Sequence, residues 1–372
     1  MKCREGQVLV SGTKSVDPTV FFTPGEVARA RAYHRPLYLA LAADVALSTG
    51  VTAVLAFSWL GDRLFDGTAG PWWARALLFT LLVLAVVEGV RLPLAFWRGF
   101  LRERRWGFST QSPGGWALDQ VKGFTVGVVL TGAAMVALLG SIRLFPSWWP
   151  LVAVLGAALL VLLLVFVAPL MLEPIFNRFR PLDDTELAAA LRRLAHRAGV
   201  PVRDVLVADA SRRTRKHNAY VSGIGGTRRV VLFDTLLGEA ARPELEVVVA
   251  HELGHRRHRD VAKGTLLAMG SGALAVLVAW PLDPTPRRIP LLLLVWGLLE
   301  LASLPLTAAF SRRLERRADR FALELTRDAA AFEAAFRRMA HANLADLDPP
   351  RLVYTFIFTH PTPVERIAAA AI

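Results

Sequence analysis

The sequence predicts a mainly α, polytopic membrane helical bundle of about six spans, joined to a cytoplasmic domain that contains a small β-sheet. Three observations carry this fold class. Hydrophobic residues make up 54% of the 372-residue chain and charged residues only 20%, a balance suited to lipid and not to an ordinary soluble domain. Apolar runs near 37–60, 72–92, 123–146, 148–172, 264–283 and 289–310 each approach the roughly 20 residues a helix needs to cross a bilayer. Two further stretches, 173–263 and 311–372, have instead the periodicities of water-facing helices and strands.

These features divide the chain into an N-terminal membrane region with four spans (1–172), a cytoplasmic part (173–263), a membrane hairpin of two spans (264–310) and a C-terminal cytoplasmic part (311–372). Residues 1–36 are mixed and polar, with no apolar core of a cleavable signal, so the first run is expected to be a retained span. The formal net charge is +13. Such an excess could serve nucleic acid, but here the cations flank apolar runs, and no nucleic-acid partner is expected. Lys2, Arg4, Lys14, Arg29, Arg31 and Arg35 precede the first span. Arg91, Arg98, Arg102, Arg104, Arg105 and Lys122 lie between the second and third. Residues 173–263 and the C-terminal tail are rich in arginine, whereas the loops near 61–71 and 147 are poor in it. All the basic parts fall on one side, which should be the cytoplasm of a multi-pass protein in the cell inner (plasma) membrane. Arg287 and Arg288, between the last two spans, break the pattern and are outvoted.

Asp44, Glu88 and Glu300 interrupt apolar runs. A charge in lipid costs a few kcal/mol or more, so each is expected in a bundle interior, a wet cavity or close to an interface. The single cysteine, Cys3, rules out an internal disulfide and a cysteine zinc cluster. The C-terminal "AAAI" has no cysteine for prenylation.

In 173–263, "LDDTELAAALRRLAHRAGV" is expected to be a helix capped by Asp183 or Asp184 and stopped at Gly199. "DVLVADA" reads as a short strand. "NAYVSGIGGTRRVVLFDTLL" reads as a hairpin around Gly223 to Gly226. "ARPELEVVVAHELGHRRHRD" reads as a helix opened by Pro243, with Glu244 and Glu246 in its first turn. Nothing in it signals a stop before 264, so this helix is expected to run into "GTLLAMGSGALAVLVAW", the fifth span.

That helix contains HELGH. Residues four apart share a helix face, so His251 and His255 can present ring nitrogens to one metal ion. Glu252 stands beside that face, where it can take a proton from water whose pKa a metal lowers from about 15.7 to about 7. Gly254 lets another backbone or a substrate come close. HExxH arises by chance in roughly one chain in a hundred of this length. Its helical context is what the chemistry requires, and a charged solvated helix with incidental histidines is the competing account.

Two ligands are too few for a catalytic zinc site. Position 261, where a metzincin has histidine, is Val261, and His258 turns partly off the face. The downstream carboxylates are Glu300 within a span, Glu324 in an ordinary helical stretch, and Glu315 just after the last span. Because the fifth and sixth spans return the chain to the side it left, Glu315 can come back near His251. Asp319, one helical turn later, can orient a ligand histidine through its free ring nitrogen. A solvated i,i+4 pair among arginines is the alternative for these two. "SRRLERRADRFALELT" and "DAAAFEAAFRRMAHANL" read as helices, and "THPTPVERIAAA" as a proline-rich turn before a short helix.

These segments together resemble the type I CAAX prenyl protease family of membrane-embedded zinc metalloproteases. The resemblance rests on "HELGH", the membrane hairpin, "SRRLERRADRFAL", "DASRRTRKHNAYVSGIGGTRRVVLFDTLL", "EPIFNRFRPLDD" and "THPTPVER". It covers most of 173–372, and is weaker in 1–172, where "RERRWGFSTQSPGGWALDQVKG" is similar to a family loop. It implies a gluzincin-like zinc protease domain holding one Zn2+ per chain through His251, His255 and Glu315, with Glu252 as catalytic base and Asp319 behind the ligands. It implies that Asn218, Ala219 and Tyr220 lie on an edge strand to which a peptide adds as an extra strand. It implies that His360, with Arg366, steadies the oxyanion of the tetrahedral intermediate, an effect worth about 3 kcal/mol. The implied partners are the lipid bilayer and a peptide or protein substrate, lipidated or membrane-bound substrates included.

The chain departs from the family pattern in two ways. Eukaryotic members resemble a barrel of seven spans around a water-filled chamber, and the span missing here would precede "FFTPGEVARARAYHRP". The chamber is therefore expected to be open or smaller at that edge. "HRRHRD" is closer to bacterial quality-control membrane proteases, and the Ala-, Arg- and Leu-rich composition suggests a bacterial member. Bacteria generally lack protein prenylation, which keeps a quality-control protease as an alternative. A non-catalytic zinc-stabilised membrane scaffold is the alternative from another class.

Overall fold

The structure, a computed structural model, describes residues 16–371. Lys2, Cys3, Arg4 and Lys14 lie outside the described residues. Among the described residues, six helices are long and apolar enough to cross a membrane: Pro24–Phe57, Trp72–Arg105, Pro113–Leu144, Trp149–Phe176, Asp260–Leu282 and Pro286–Thr326. They are called spans 1 to 6 below. Several outrun their apolar cores because polar caps start them early. Span 1 opens with Thr23 and Glu26 in a reciprocal capping box, followed by Pro24. Span 3 opens on Ser112, whose hydroxyl accepts the N–H of Gly115. Span 1 ends at Ser58, and the short helix Trp59–Asp66 turns away from it. A Cβ at Gly61 in that corner would lie 1.8 Å from the carbonyl oxygen of Leu55, so only glycine fits there.

The spans pack as a closed ring: 1 on 2, 2 on 3, 3 on 4, 4 on 5, 5 on 6, and 6 back on 1. The edge where the sequence implies a missing span is thus closed by direct contact between spans 1 and 6. Only 6–22% of the residues in the apolar windows of the spans are buried, so most side chains there face either lipid or the space inside the ring. Phe65, Phe79, Val83, Leu139 and Ile289 pack at one end of the ring.

Two of the three intramembrane charges, Asp44 and Glu88, are resolved by pairing. Asp44 is buried and accepts two hydrogen bonds of 2.8 Å from Arg91, with Arg98 at 3.4 Å. Glu88 accepts from the same Arg91 at 2.6 Å. A buried pair of this kind is costly to break, about 3–5 kcal/mol when one partner is removed. Glu300 is exposed and makes no ion pair among the described residues. Arg287, which breaks the charge pattern of the loops, pairs with Asp62 at 2.6 Å and with Asp66. Its charge is neutralised within the protein, so it does not count against the orientation.

The water-facing part is built on a four-stranded sheet of order β1-β2-β4-β3. β1 (Phe179–Pro181) and β2 (Asp204–Ala208) run antiparallel, β2 and β4 (Arg229–Phe233) parallel, and β3 (Ala219–Ser222) and β4 antiparallel. The expected hairpin is present. β1 is three residues long, too short to show a periodicity of its own. The expected helix is Thr185–Arg197, capped by Asp184 through the N–H of Leu187 and ended by Gly199 at φ +67°. Leu191, Leu194, Val207, Val230, Leu232, Val249, Leu253 and Phe332 form the core beneath. Each such side chain contributes about 1.5–3 kcal/mol by leaving water.

The helix carrying HELGH does not run into span 5. It spans Arg242–Arg257 and is broken at His258 and Arg259, the latter left-handed at φ 57°, before a new helix starts at Asp260. A left-handed non-glycine residue costs on the order of 1–3 kcal/mol and persists only where its surroundings hold it. Here Asp260 is anchored by Arg317 and by Lys263 at 3.2 Å. The last span and the segment after it are, conversely, one helix, Ile289–Thr326. The helices Ala329–Asn343 and Pro363–Ala370 follow, the second opened by a Thr362–Glu365 capping box.

Candidate metal centre

Apolar packing fixes the helix Arg242–Arg257 before any polar contact is considered. Leu245, Val247, Val248, Val249, Ala250 and Leu253 are all buried, which leaves one turn of its remaining face for His251 and His255. The long helix Ile289–Thr326 crosses it closely at Gly254. A Cβ there would lie 3.1 Å from Phe321 and 3.2 Å from the Cα of Ala318, so the small residue admits the neighbouring backbone.

That crossing brings Glu315 to the two histidines. His251 Nε2 is 3.2 Å from His255 Nε2 and 3.3 Å from Glu315 Oε2, and His255 Nε2 is 3.2 Å from Glu315 Oε1. One ligand atom from each residue can be chosen with all of them within 4.8 Å of one another. Glu315 is 5% exposed, and its Oε2 is buried with no hydrogen-bond donor. Three converging lone pairs with an undonated carboxylate oxygen fit a divalent ion that takes nitrogen and oxygen ligands. Glu300 and Glu324 lie exposed elsewhere on the same helix. His258 is outside the cluster and packs edge-on against Phe321 at 5.6 Å.

A carboxylate stands behind each imidazole. Asp319 Oδ1 is 2.9 Å from His251 Nδ1, and Asp260 Oδ2 is 3.1 Å from His255 Nδ1. Such partners set the tautomer and aim the ring. Asp260 was not expected, because an unbroken helix would have carried it past His255. Its only signal in the sequence is an aspartate soon after the histidines in "HRRHRD". Arg366 donates to Asp319 at 2.9 Å, and its guanidinium lies 3.8 Å over the ring of Phe336. His360 reaches Glu315 Oε1 with its Nε2 at 3.3 Å, and its side chain is 60% exposed in the open cleft. Arg312, buried one turn before Glu315, donates to the carbonyls of Tyr354 at 3.0 Å and Phe358 at 2.5 Å. It thereby pins the segment that carries His360, a second role that sequence reading did not find.

The charge states follow from these contacts. Burial and Arg366 disfavour the His251 imidazolium, but the Asp319 and Glu315 carboxylates against it outweigh them and raise its pKa to about 9. An incoming metal ion therefore displaces a proton. Burial would push the Glu315 carboxyl up, yet the His251 and His255 imidazoles against it hold it well below the usual carboxylate range. Glu252 is partly accessible, and burial of its carboxyl raises its pKa against the pull of His251 and His255.

Ala219 and Tyr220 lie in β3, an edge strand, and Asn218 immediately precedes it. The Phe233 N–H donates to the Asn218 carbonyl. By the alternation of an antiparallel ladder, the main-chain groups of Ala219 and Val221 then point outward. Two of them are already engaged: the side chain of Asn218 accepts the Ala219 N–H at 2.9 Å, and Arg256 donates to the Val221 carbonyl at 3.1 Å. The Tyr220 hydroxyl turns to Glu173 at 3.3 Å.

A His–His–carboxylate cluster with an adjacent glutamate, set on a ring of six spans, defines a membrane-embedded metalloendopeptidase. The model of peptidase family M48 matches residues 181–371, and the model described as CAAX prenyl protease N-terminal, five membrane helices, matches residues 26–178. The chain belongs to peptidase family M48. The range matched by the five-helix module contains four spans here. An uncharacterized metalloprotease of Bacillus subtilis, YhfN, is 30% identical, covering 97% of this chain and 89% of that protein. A CAAX prenyl protease 1 homolog of Arabidopsis thaliana is 30% identical over 79% of this chain and 73% of its own. The crystal structure of S. mikatae Ste24p shares the fold, with a TM-score of 0.79 at 22% identity, covering 96% of this chain and 92% of the other. Membership in a peptidase family decides against the non-catalytic scaffold.

Proposed function

We propose that this protein is a zinc endopeptidase of the cell inner membrane, working at the cytoplasmic face on peptides presented from the bilayer. The convergence of His251, His255 and Glu315 from two helices joined by a membrane hairpin carries the reading. These residues would hold the ion, and zinc suits two imidazoles and one carboxylate. When bound, zinc supplies Lewis-acid polarisation of the scissile carbonyl and acidifies water.

The chain's own residues do the rest. Glu252 accepts the proton of the attacking water and passes it to the leaving amine. Burial raises its pKa and makes it the stronger base. His360 donates to the developing oxyanion from the open side of the cleft. Arg366 holds Asp319 in place and adds positive charge. A substrate strand adds along β3 beside Asn218, Ala219 and Tyr220, using first the Ala219 carbonyl and the Val221 N–H, since the Asn218 side chain already accepts the Ala219 N–H and Arg256 already bonds the Val221 carbonyl. Asp319 and Asp260 keep the two imidazoles aimed.

Relatives named CAAX prenyl protease support a prenylated substrate with its modified cysteine in the bilayer. The match along nearly the whole chain to an uncharacterized bacterial metalloprotease favours, as a second reading, cleavage of unmodified membrane proteins. Comparing cleavage of a farnesylated peptide with its unmodified twin separates the two. The test of the mechanism is Glu252→Gln. It should lower kcat by about 10²- to 10⁴-fold while the purified protein retains its zinc; full activity in that variant would exclude Glu252 as the base.

A further inference from the structure

Side chains of this protein cap most of the outer edge of β3. In the alternation of the ladder, the outward main-chain groups along this edge belong to His217, Ala219 and Val221. Asn343 takes both groups of His217: its Oδ1 accepts the N–H at 2.7 Å and its Nδ2 donates to the carbonyl at 3.0 Å. The Asn218 side chain accepts the Ala219 N–H at 2.9 Å. Nε and Nη2 of Arg256 both donate to the Val221 carbonyl, Nε at 3.1 Å. Beyond Val221 the edge ends at Gly223, whose φ of +80° turns the chain away. A Cβ at Gly223 would lie 2.3 Å from the carbonyl oxygen of Thr227. Among the described residues no hydrogen bond engages the Ala219 carbonyl or the Val221 N–H. These two groups are neighbours in the middle of the edge.

Arg256 differs from the other caps. It comes from the helix that carries His251 and His255, one turn after Glu252. It is half-buried, it makes no ion pair among the described residues, and the Val221 carbonyl is the partner its side chain has. Capping an exposed edge guards against unwanted strand pairing, but a cap serving that end alone would not leave a gap beside the metal helix. A chain laid antiparallel on this edge reaches the gap with one residue donating its N–H to the Ala219 carbonyl. The residue two places earlier receives the Val221 N–H on its own carbonyl. The N–H of that earlier residue would be next to pair, and its acceptor, the Val221 carbonyl, is held by Arg256. We infer that main-chain recognition of the substrate is confined to these three residues, and that Arg256 is the specificity-determining residue that ends it by standing in for the next substrate N–H. Such an enzyme needs only a short extended stretch of its target. The inference rests on strand addition along β3 and adds to it a stop.

The test replaces the backbone amides of an internally quenched peptide, farnesylated and unmodified, by esters one at a time, leaving the scissile bond as it is. An ester removes an N–H donor and weakens the carbonyl it contains. Cleavage at the original bond is followed in detergent by mass spectrometry. For the unsubstituted protein the ester whose carbonyl faces the Val221 N–H should lower kcat/KM by about two- to five-fold. The ester one bond earlier, which lacks the N–H that Arg256 replaces, should cost nothing. In Arg256→Met that earlier ester should become costly as well, by about five-fold against the all-amide peptide. Retained zinc shows that the variant is folded, and Arg256→Gln gives the same reading should the methionine variant lose its zinc. A cost at both esters in the unsubstituted protein would overturn the inference, since the guanidinium would then yield to the substrate. So would a variant that keeps the unsubstituted pattern, or one slowed equally on every peptide, which would make Arg256 a prop for the strand. No ester effect in either protein would instead dismiss strand addition itself, and the stop with it.

Discussion

Asp260 and Asp319 do similar work from opposite sides: each faces the Nδ1 of one histidine whose Nε2 points into the cluster. Removing either charge should loosen a ligand without deleting it. Asp260→Asn is expected to weaken zinc affinity by about 10- to 100-fold, read by competition with a fluorescent chelator; unchanged affinity would reduce Asp260 to a structural anchor for Arg317. With Glu252 as the proposed base, the pH dependence should follow its carboxyl. Its buried carboxyl has a raised pKa, and a base must be ionised to act. Activity of the zinc-saturated enzyme should therefore fall with decreasing pH along a limb lying above the ordinary glutamate value of about 4.3. A kcat/KM profile still flat down to that value would contradict the assignment. His251 and Glu252 were legible as residues because HExxH is a local pattern. Asp260 and Arg312 were not, because what matters about them is which distant atom they touch.

Two elements make the site, and both depend on how a helix is or is not interrupted. The HELGH helix stops at Arg259, and the stop turns Asp260 toward His255. The helix Ile289–Thr326 does not stop, so a rigid rod carries Glu315 from the membrane to its partners. Sequence periodicity found both stretches but read the first as continuous. The left-handed residue is an arginine, without the glycine or proline that usually marks a break. The two helices meet at Gly254, where the neighbouring backbone leaves no room for a larger residue. Gly254→Val should overpack this crossing by about 1–3 kcal/mol. The expected result is a lower melting temperature in detergent together with reduced zinc content, because the same crossing seats Glu315. A variant with an unchanged melting point and full zinc would show that the crossing is not what positions the ligand.

At the scale of the whole molecule, the ring of spans leaves the sheet, the HELGH helix and the C-terminal helices to form one water-facing body. In the orientation proposed above, the arginine-rich segments put that body on the cytoplasmic side. Single cysteines introduced at Arg203 and at Asp66 in a Cys3→Ser background test this. The first should be labelled by an impermeant maleimide only after the cells are opened, the second in intact cells. The reverse pattern would invert the topology. Asp66 is the more informative position, because its partner Arg287 lies in the loop that breaks the charge rule.

By itself the sequence determined the six spans, the hairpin and the two histidines and glutamate that the structure brings together, since these depend on hydropathy and on short-range spacing. The tertiary structure decided what those signals do not encode. It closed the ring between spans 1 and 6, broke the HELGH helix to seat Asp260, used Arg312 to pin the segment of His360, and lined one cavity with Arg313, Arg316 and Arg320. The physical reason is common to all four. A contact between residues far apart in the chain is fixed by how helices cross, and a crossing depends on packing on both partners, which no single stretch of sequence contains.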